Sequence, residues 1–368
     1  MSTAEIYSPG LEGVIAGETA ISTVEGGLRY RGYPVGELVA KCCFEDVAYL
    51  LLHGDLPTAA QRDDFHNRLA AARRLPEPLR DLLRALPRDV TPMDALRSAV
   101  SIVAHFDPDV ADNSPAANRR KAERLLAQIP TAIAAQYRLS RGLPLVPPRQ
   151  ELSKAANFLW MLRGVEAPPE HVRAFDVSLI LYAEHEFNAS TFTARVVVST
   201  ESDLHSGVVA AIGALKGRLH GGANEKVMDL LRAAGGPETA EAWLRAALAR
   251  KERIMGFGHR VYKTGDVRAG ILKEHVARLA AAAGQTRWEE TAEIIERLMA
   301  QEKNLYPNLD WPAGRLYHVL GLEPELYTPI FVISRISGWC AHIMEQLANN
   351  RLIRPRARYI GPAARTVP

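Results

Sequence analysis

The residues best equipped for chemistry fall in three short segments of the chain. The first, Leu219-His220-Gly221-Gly222-Ala223-Asn224-Glu225, puts a histidine at the end of an apolar helical run and follows it with two glycines. Glycine lets backbone come close to a ligand, and Asn224 is a candidate N-cap for the run carrying Val227, Leu230 and Leu231. A helix C-cap with an incidental histidine explains the same letters. The second segment, Met255-Gly256-Phe257-Gly258-His259-Arg260-Val261-Tyr262-Lys263, suits a loop whose amides and cations meet a phosphate or carboxylate. It lacks the third glycine and the preceding strand of a dinucleotide fingerprint, and a simple turn is its plainer reading. In the third, Lys303-Asn304-Leu305-Tyr306-Pro307-Asn308-Leu309-Asp310, the carboxylate sits between prolines and beside Trp311. Partial desolvation there would raise its basicity, although an Asp in such a loop commonly just caps the next turn.

Taken together, two histidines and one carboxylate fit proton abstraction next to a carbonyl, since no serine or cysteine nucleophile motif and no metal-ligand spacing accompanies them. His185-Glu186 opens like a zinc-protease helix, but position 189 is Ala, which ends that reading. An anionic substrate would find natural partners in arginines, whose planar guanidinium grips a carboxylate through two parallel hydrogen bonds.

The elements that must hold these groups are helical. Val208, Ile212, Leu215 and Leu219 recur at helical spacing, as do Ile336, Cys340, Ile343 and Leu347, whereas alternation with period two is scarce. Glycine and proline gather between the periodic runs, as at Gly235-Gly236-Pro237 and from Pro144 to Pro148. Pro130 lies inside the run Lys121 to Gly142 and is expected to kink or break it. The fold class is therefore all-α, with no repeat, no low-complexity tract and no linker marking a domain boundary.

Composition narrows the function further. At 368 residues and 47% hydrophobic content the chain can bury a large core. A formal charge of only +3 gives no bulk attraction for nucleic acid. Cys42, Cys43 and Cys340 form neither a disulfide framework nor a zinc spacing, which favours a reducing compartment. No apolar stretch is long enough for a membrane span, and Met1 to Gly10 does not read as a signal, so a cytoplasmic protein is expected.

Ordered matches along nearly the whole chain, from about Gly10 to Pro362, resemble the citrate synthase family. They run through Gly10 to Thr19, Leu28 to Tyr33, Ala183-Glu184-His185-Glu186-Phe187-Asn188-Ala189-Ser190-Thr191 and the three segments above. Ser334 to His342, Arg351-Leu352-Ile353-Arg354-Pro355 and Tyr359 to Pro362 complete them. The resemblance implies a two-domain, nearly all-helical homodimer with its active site in the cleft between domains, higher oligomers being possible. The small domain would span 221–325, and the large one 1–220 with 326–368. By the same resemblance Asp310 is the general base, His220 stabilises the enol or enolate of the thioester, and His259 polarises the ketone of oxaloacetate. His185, Arg268, Arg335 and Arg354 would hold oxaloacetate, with Arg354 reaching in from the partner subunit. Met255, Gly256, Gly258 and Lys303 would meet coenzyme A, whose thioester is a co-substrate, with no tightly bound cofactor and no metal.

The activity so implied is condensation of acetyl-CoA with oxaloacetate to citrate. Propionyl-CoA as the acyl donor, giving 2-methylcitrate, is the alternative, and a non-catalytic acyl-CoA-binding relative is a more distant one. This sequence departs from the family pattern where Val267 replaces a usual proline before Arg268, which suggests a less rigid arginine. It departs again at Arg218, where proline is frequent, and at Trp311-Pro312.

Overall fold

A computed structural model describes residues 7–259, 262 and 265–367. Arg260, Val261 and Lys263 of the glycine-histidine segment lie outside the described residues. The chain opens with a small antiparallel sheet, β1 (Ser22–Thr23), β2 (Arg29–Tyr30) and β3 (Tyr33–Pro34), in which Ser22 pairs with Tyr30 and Tyr30 with Tyr33. Among the described residues every later element is helical apart from an isolated bridge between Phe257 and Pro307. The first half carries α1 (Val35–Lys41), α2 (Phe44–His53), α3 (Ala59–Ala72), α4 (Glu77–Ala85), α5 (Pro92–Val103), α6 (Pro115–Ser140), α7 (Lys154–Arg163) and α8 (Pro169–Tyr182). The second carries α9 (Ala189–Val198), α10 (Leu204–Leu215), α11 (Ala223–Ala234), α12 (Pro237–Ala249), α13 (Val267–Ala282), α14 (Arg287–Lys303), α15 (Asp310–Val319) and α16 (Tyr327–Ala348).

Local chemistry explains most of the helix starts. The side chains of Thr58, Thr91, Ser114, Ser153, Asn188, Asp203 and Asp266 each accept a hydrogen bond from a first-turn amide, and proline opens α5, α6, α8 and α12. Gly54 and Gly164 end α2 and α7 in the left-handed conformation.

Three expectations meet a different outcome for reasons outside the local sequence. Pro130 does not break its helix: α6 runs unbroken from Pro115 to Ser140. Proline deprives the carbonyl four residues earlier of its donor. That carbonyl, on Leu126, instead accepts from the ammonium of the buried Lys154 at the start of α7. The run through Leu219 also ends early, because α10 stops at Leu215 and Leu219 is 82% exposed. The chain turns back there so that the Gly221 amide donates to the Leu215 carbonyl at 2.9 Å. A Cβ on Gly221 would sit 2.5 Å from that same oxygen, so only glycine permits the return. Asn224 correspondingly does not cap α11: Gly222 takes that position, and Asn224 is buried inside the first turn.

Burial falls into two apolar clusters. The larger spans the sheet and most helices, with α16 buried along nearly its whole length. The smaller joins Val227, Met228 and Leu231 of α11, Leu244 of α12, and Ile295, Leu298 and Met299 of α14 to Trp311. Helices α13 and α15 turn Leu272, Val276, Leu316 and Tyr317 toward the larger cluster, so these two helices carry the site segments against the main body. No helix of the structure is long and apolar enough to cross a membrane.

Candidate active site

Asp310 starts α15 rather than ending a loop. Its approach is fixed by Asn308, whose amide donates to the Gly256 carbonyl at 2.9 Å and whose side chain donates to the Gly258 carbonyl at 3.0 Å. Asn308 Oδ1 then accepts from the Asp310 amide at 3.1 Å. The glycines are needed for this stapling. Gly256 has φ 86°, and a Cβ there would lie 3.0 Å from the Trp311 ring; Gly258 has φ 79°. The Gly258 amide is itself engaged by the Tyr306 carbonyl at 2.9 Å. The second and third sequence segments are thus one structural unit.

The Asp310 carboxylate accepts from the Tyr182 hydroxyl, 2.6 Å from Oδ1. Burial pushes its pKa up to about 6, tempered by the Tyr182 hydrogen bond and by the positive charges of Arg268 and Arg335. Tyr182 closes α8, and its ring packs on Phe331 of α16 with centroids 4.3 Å apart. Phe331 also lies under the Arg335 guanidinium at 4.8 Å and edge-on to the His220 ring at 6.2 Å. One aromatic side chain thus spaces the carboxylate's partner, a buried cation and a histidine.

His220 sits on the returning loop, with Nε2 3.3 Å from the Ser190 amide and 2.8 Å from Ser190 Oγ. A backbone N–H can only donate, so Nε2 accepts and the neutral ring carries its proton on Nδ1. Burial, then the charge of Arg335, pushes the imidazole pKa down to about 4. Ser190 is held in turn by Asn188, the N-cap of α9, and by the Trp339 indole, which donates to its Oγ at 3.0 Å.

A pair of imidazoles faces Tyr262. The rings of His185 and His259 lie 5.0 Å apart, and His259 packs against Tyr262 at 4.5 Å with the rings tilted by 31°. The Tyr262 amide donates to His259 Nδ1 at 3.3 Å, which leaves the neutral ring's proton on Nε2. His185 Nε2 lies 3.1 Å from the Tyr262 hydroxyl. Burial, with Arg268, His259 and Arg335 close by, holds the His185 pKa well below the usual histidine value.

The arginines divide into buried and exposed. Arg335 is buried on α16, its Nε donating to the Tyr182 carbonyl at 2.7 Å, and burial lowers its pKa to about 10. Arg268 is equally buried and is not loose: Asp266 accepts from its Nε at 3.0 Å and from its Nη2 at 2.8 Å. The same carboxylate caps α13 through the Arg268 amide and accepts from the Leu309 amide at 3.3 Å. Rigidity that proline would give at position 267 is supplied instead by this clamp. Burial works against both charges, but their mutual attraction prevails, leaving Asp266 below and Arg268 above the ordinary value.

Arg354 lies apart, exposed on the extended tail after α16, which is anchored where the Ile353 amide donates to Ser199 Oγ at 3.1 Å. Lys303 is exposed at the end of α14, and Met255 is half-buried beside the stapled loops. A cavity of about 180 Å³ opens between the loops, bordered by Gly258, His259, Tyr262 and Leu305. Among the described residues no group of His, Cys, Asp or Glu is arranged to hold a metal ion.

Sequence reasoning missed Tyr182, Ser190, Phe331 and Asp266 as members of the site. Asp266, two residues before an arginine at a helix start, carried a readable capping signal. Tyr182 and Phe331 read as core aromatics, and nothing in their local sequence distinguishes them from others.

A sequence model of the family described as "Citrate synthase, C-terminal domain" matches residues 10–356. The 2-methylcitrate synthase of Mycobacterium tuberculosis is 49% identical over 362 residues, covering 98% of this chain and 92% of that protein. Citrate synthase 2 of Bacillus subtilis is 48% identical over 355 residues, with 96% and 95% covered. Among solved structures, citrate synthase from Thermoplasma acidophilum in ternary complex with carboxymethyl coenzyme A and oxaloacetate superposes with a TM-score of 0.94. It is 34% identical, with 99% of this chain and 98% of that chain covered.

Proposed function

This chain belongs to the citrate synthase family and is a condensing acyltransferase of that type, and on that premise we propose that it joins acetyl-CoA to oxaloacetate and hydrolyses the resulting thioester to citrate. The observation that carries this reading is a carboxylate of raised basicity, Asp310, beside the buried guanidiniums of Arg268 and Arg335, with the imidazoles of His220 and His185 held neutral near Arg335. Asp310 takes the proton from the carbon beside the thioester. Such a weak carbon acid yields to a carboxylate only if charge on the thioester oxygen is stabilised at the same moment. His220, neutral with its proton on Nδ1, is the donor for that oxygen. His259, with its proton on Nε2, polarises the ketone of oxaloacetate and supplies the proton as the alkoxide forms.

His185, Arg268 and Arg335 hold oxaloacetate and its carboxylates, and Arg354 completes the set from a partner subunit. Exposed apolar residues in both terminal segments, Ile15 at 89% and Ile360 at 92%, support a homodimer in which a second copy covers them. Coenzyme A lies along the stapled loops near Met255, Gly256 and Lys303, with Gly258 offering its surface rather than its already bonded amide. The division into a small unit over 221–325 and a large unit for the rest is supported by the separate cluster of α11, α12, α14 and Trp311, although α13 and α15, within the same span, also pack on the larger cluster. Closure of one on the other after oxaloacetate binds would exclude water during enolisation.

A second reading, propionyl-CoA as the acyl donor, is favoured by the name of the mycobacterial relative. One methylene in an apolar pocket discriminates by only about 1–3 kcal/mol. Thiol release measured with acetyl-CoA and propionyl-CoA, each with and without oxaloacetate, tests both readings. Oxaloacetate-dependent release with acetyl-CoA at the higher kcat/KM is expected. A higher value with propionyl-CoA selects the second reading, and no release with either refutes both.

A further inference from the structure

We propose that Tyr182 is the positioning residue of the catalytic base, fixing Asp310 in register with the oxaloacetate arginine Arg335; this rests on the reading of Asp310 as the base. The residue works at both ends. Its hydroxyl donates to Asp310 Oδ1 at 2.6 Å, and its backbone carbonyl accepts from Arg335 Nε at 2.7 Å. A carboxylate on a single Cβ swings about its own torsions, so a fixed donor on one oxygen selects an orientation and leaves the other free to take a proton. Among the described residues Oδ2 of Asp310 makes no hydrogen bond.

The donor is itself immobile. Tyr182 is buried at the end of α8, with its ring against Phe331, which also carries the Arg335 guanidinium. Burial and the neighbouring Asp310 hold its phenol pKa well above the ordinary value, so it remains a donor wherever the enzyme works. The proton stays on the phenol throughout, and Tyr182 touches the base rather than the reacting carbon. Arg335 is hydrogen-bonded through the Tyr182 backbone carbonyl, which side-chain substitution leaves in place. Loss of the hydroxyl should therefore disturb the base and spare oxaloacetate binding.

Tyr182→Phe tests this in the full-length enzyme, with kcat and KM measured for both substrates across pH. Loss of a hydrogen bond to the charged carboxylate should move the acid limb of kcat/KM upward by about half to one pH unit. With the base unmoored, kcat should fall on the order of tenfold or more while the oxaloacetate KM stays within about threefold. Placing 3-fluorotyrosine at position 182 alone keeps the ring and strengthens the donor, so the limb should move downward. That second variant covers the case in which phenylalanine disturbs folding. Limbs that stay put in both variants, even with lowered thermal stability, mean a packing role only and overturn the inference. Asp310→Asn separates the two layers of the argument. If it is inactive while Tyr182→Phe behaves as wild type, the inference alone falls; if it retains turnover, the base assignment falls and takes the inference with it.

Discussion

Replacing Lys154 with methionine should destabilise the protein in a way that depends on Pro130, 24 residues earlier on another helix. In α6 the Leu126 carbonyl has no donor from position 130, and Lys154 supplies one. Lys154 is buried, and burial holds its pKa well below the usual lysine value, opposed by the charge of Glu45. Charged or neutral, the amine can donate. Methionine fills nearly the same volume but cannot, so the buried carbonyl is orphaned at a cost of about 1–3 kcal/mol. Some of that is returned because no buried cation must be desolvated. A net loss of about 2 kcal/mol is expected. Pro130→Ala restores an N–H at position 130 and with it the ordinary helical bond to Leu126. In that background Lys154→Met should cost less than about 1 kcal/mol, giving a coupling of about 1–2 kcal/mol. Urea unfolding of the four proteins, followed by circular dichroism at matched m-values, measures the cycle. Equal costs of Lys154→Met in both backgrounds would refute the argument that the lysine exists to satisfy that carbonyl.

Further outcomes concern the site. The acid limb of kcat/KM should lie near pH 6, with activity falling about tenfold per unit below it, because Asp310 must be deprotonated and its pKa is raised to about 6. Asp310→Ala should lower kcat by about 10²–10⁴-fold while leaving oxaloacetate binding, measured by calorimetry, nearly intact. Asp266→Ala strands the buried Arg268 and should cost about 3–5 kcal/mol in chemical denaturation, together with a higher oxaloacetate KM. For His220 the folded pKa, about 4, lies below the unfolded value of 6.5, so the unfolded chain binds the proton first. Stability should accordingly fall between pH 6.5 and 4 by up to about 3 kcal/mol, and His220→Gln should remove that slope in thermal melts across pH.

The helical class was legible because apolar spacing and capping residues are local properties. Ser114 with Pro115, or Asn188 before Ala189, start their helices with chemistry contained in a few neighbouring residues. The three chemistry-bearing segments stood out only in combination, since each by itself reads equally well as a helix C-cap, a turn or a capping aspartate. What the sequence could not decide depends on partners distant along the chain. Pro130 passes through α6 because Lys154 meets the abandoned carbonyl, and α10 stops at Leu215 because Gly221 folds back onto it. Arg268 is rigid without proline because Asp266 is buried with it, and the basicity of Asp310 follows from burial tempered by Tyr182, Arg268 and Arg335. Spacing determines which side chains share a helix face, whereas burial and electrostatic coupling arise only when separate helices meet, and those set how strongly each group holds its proton.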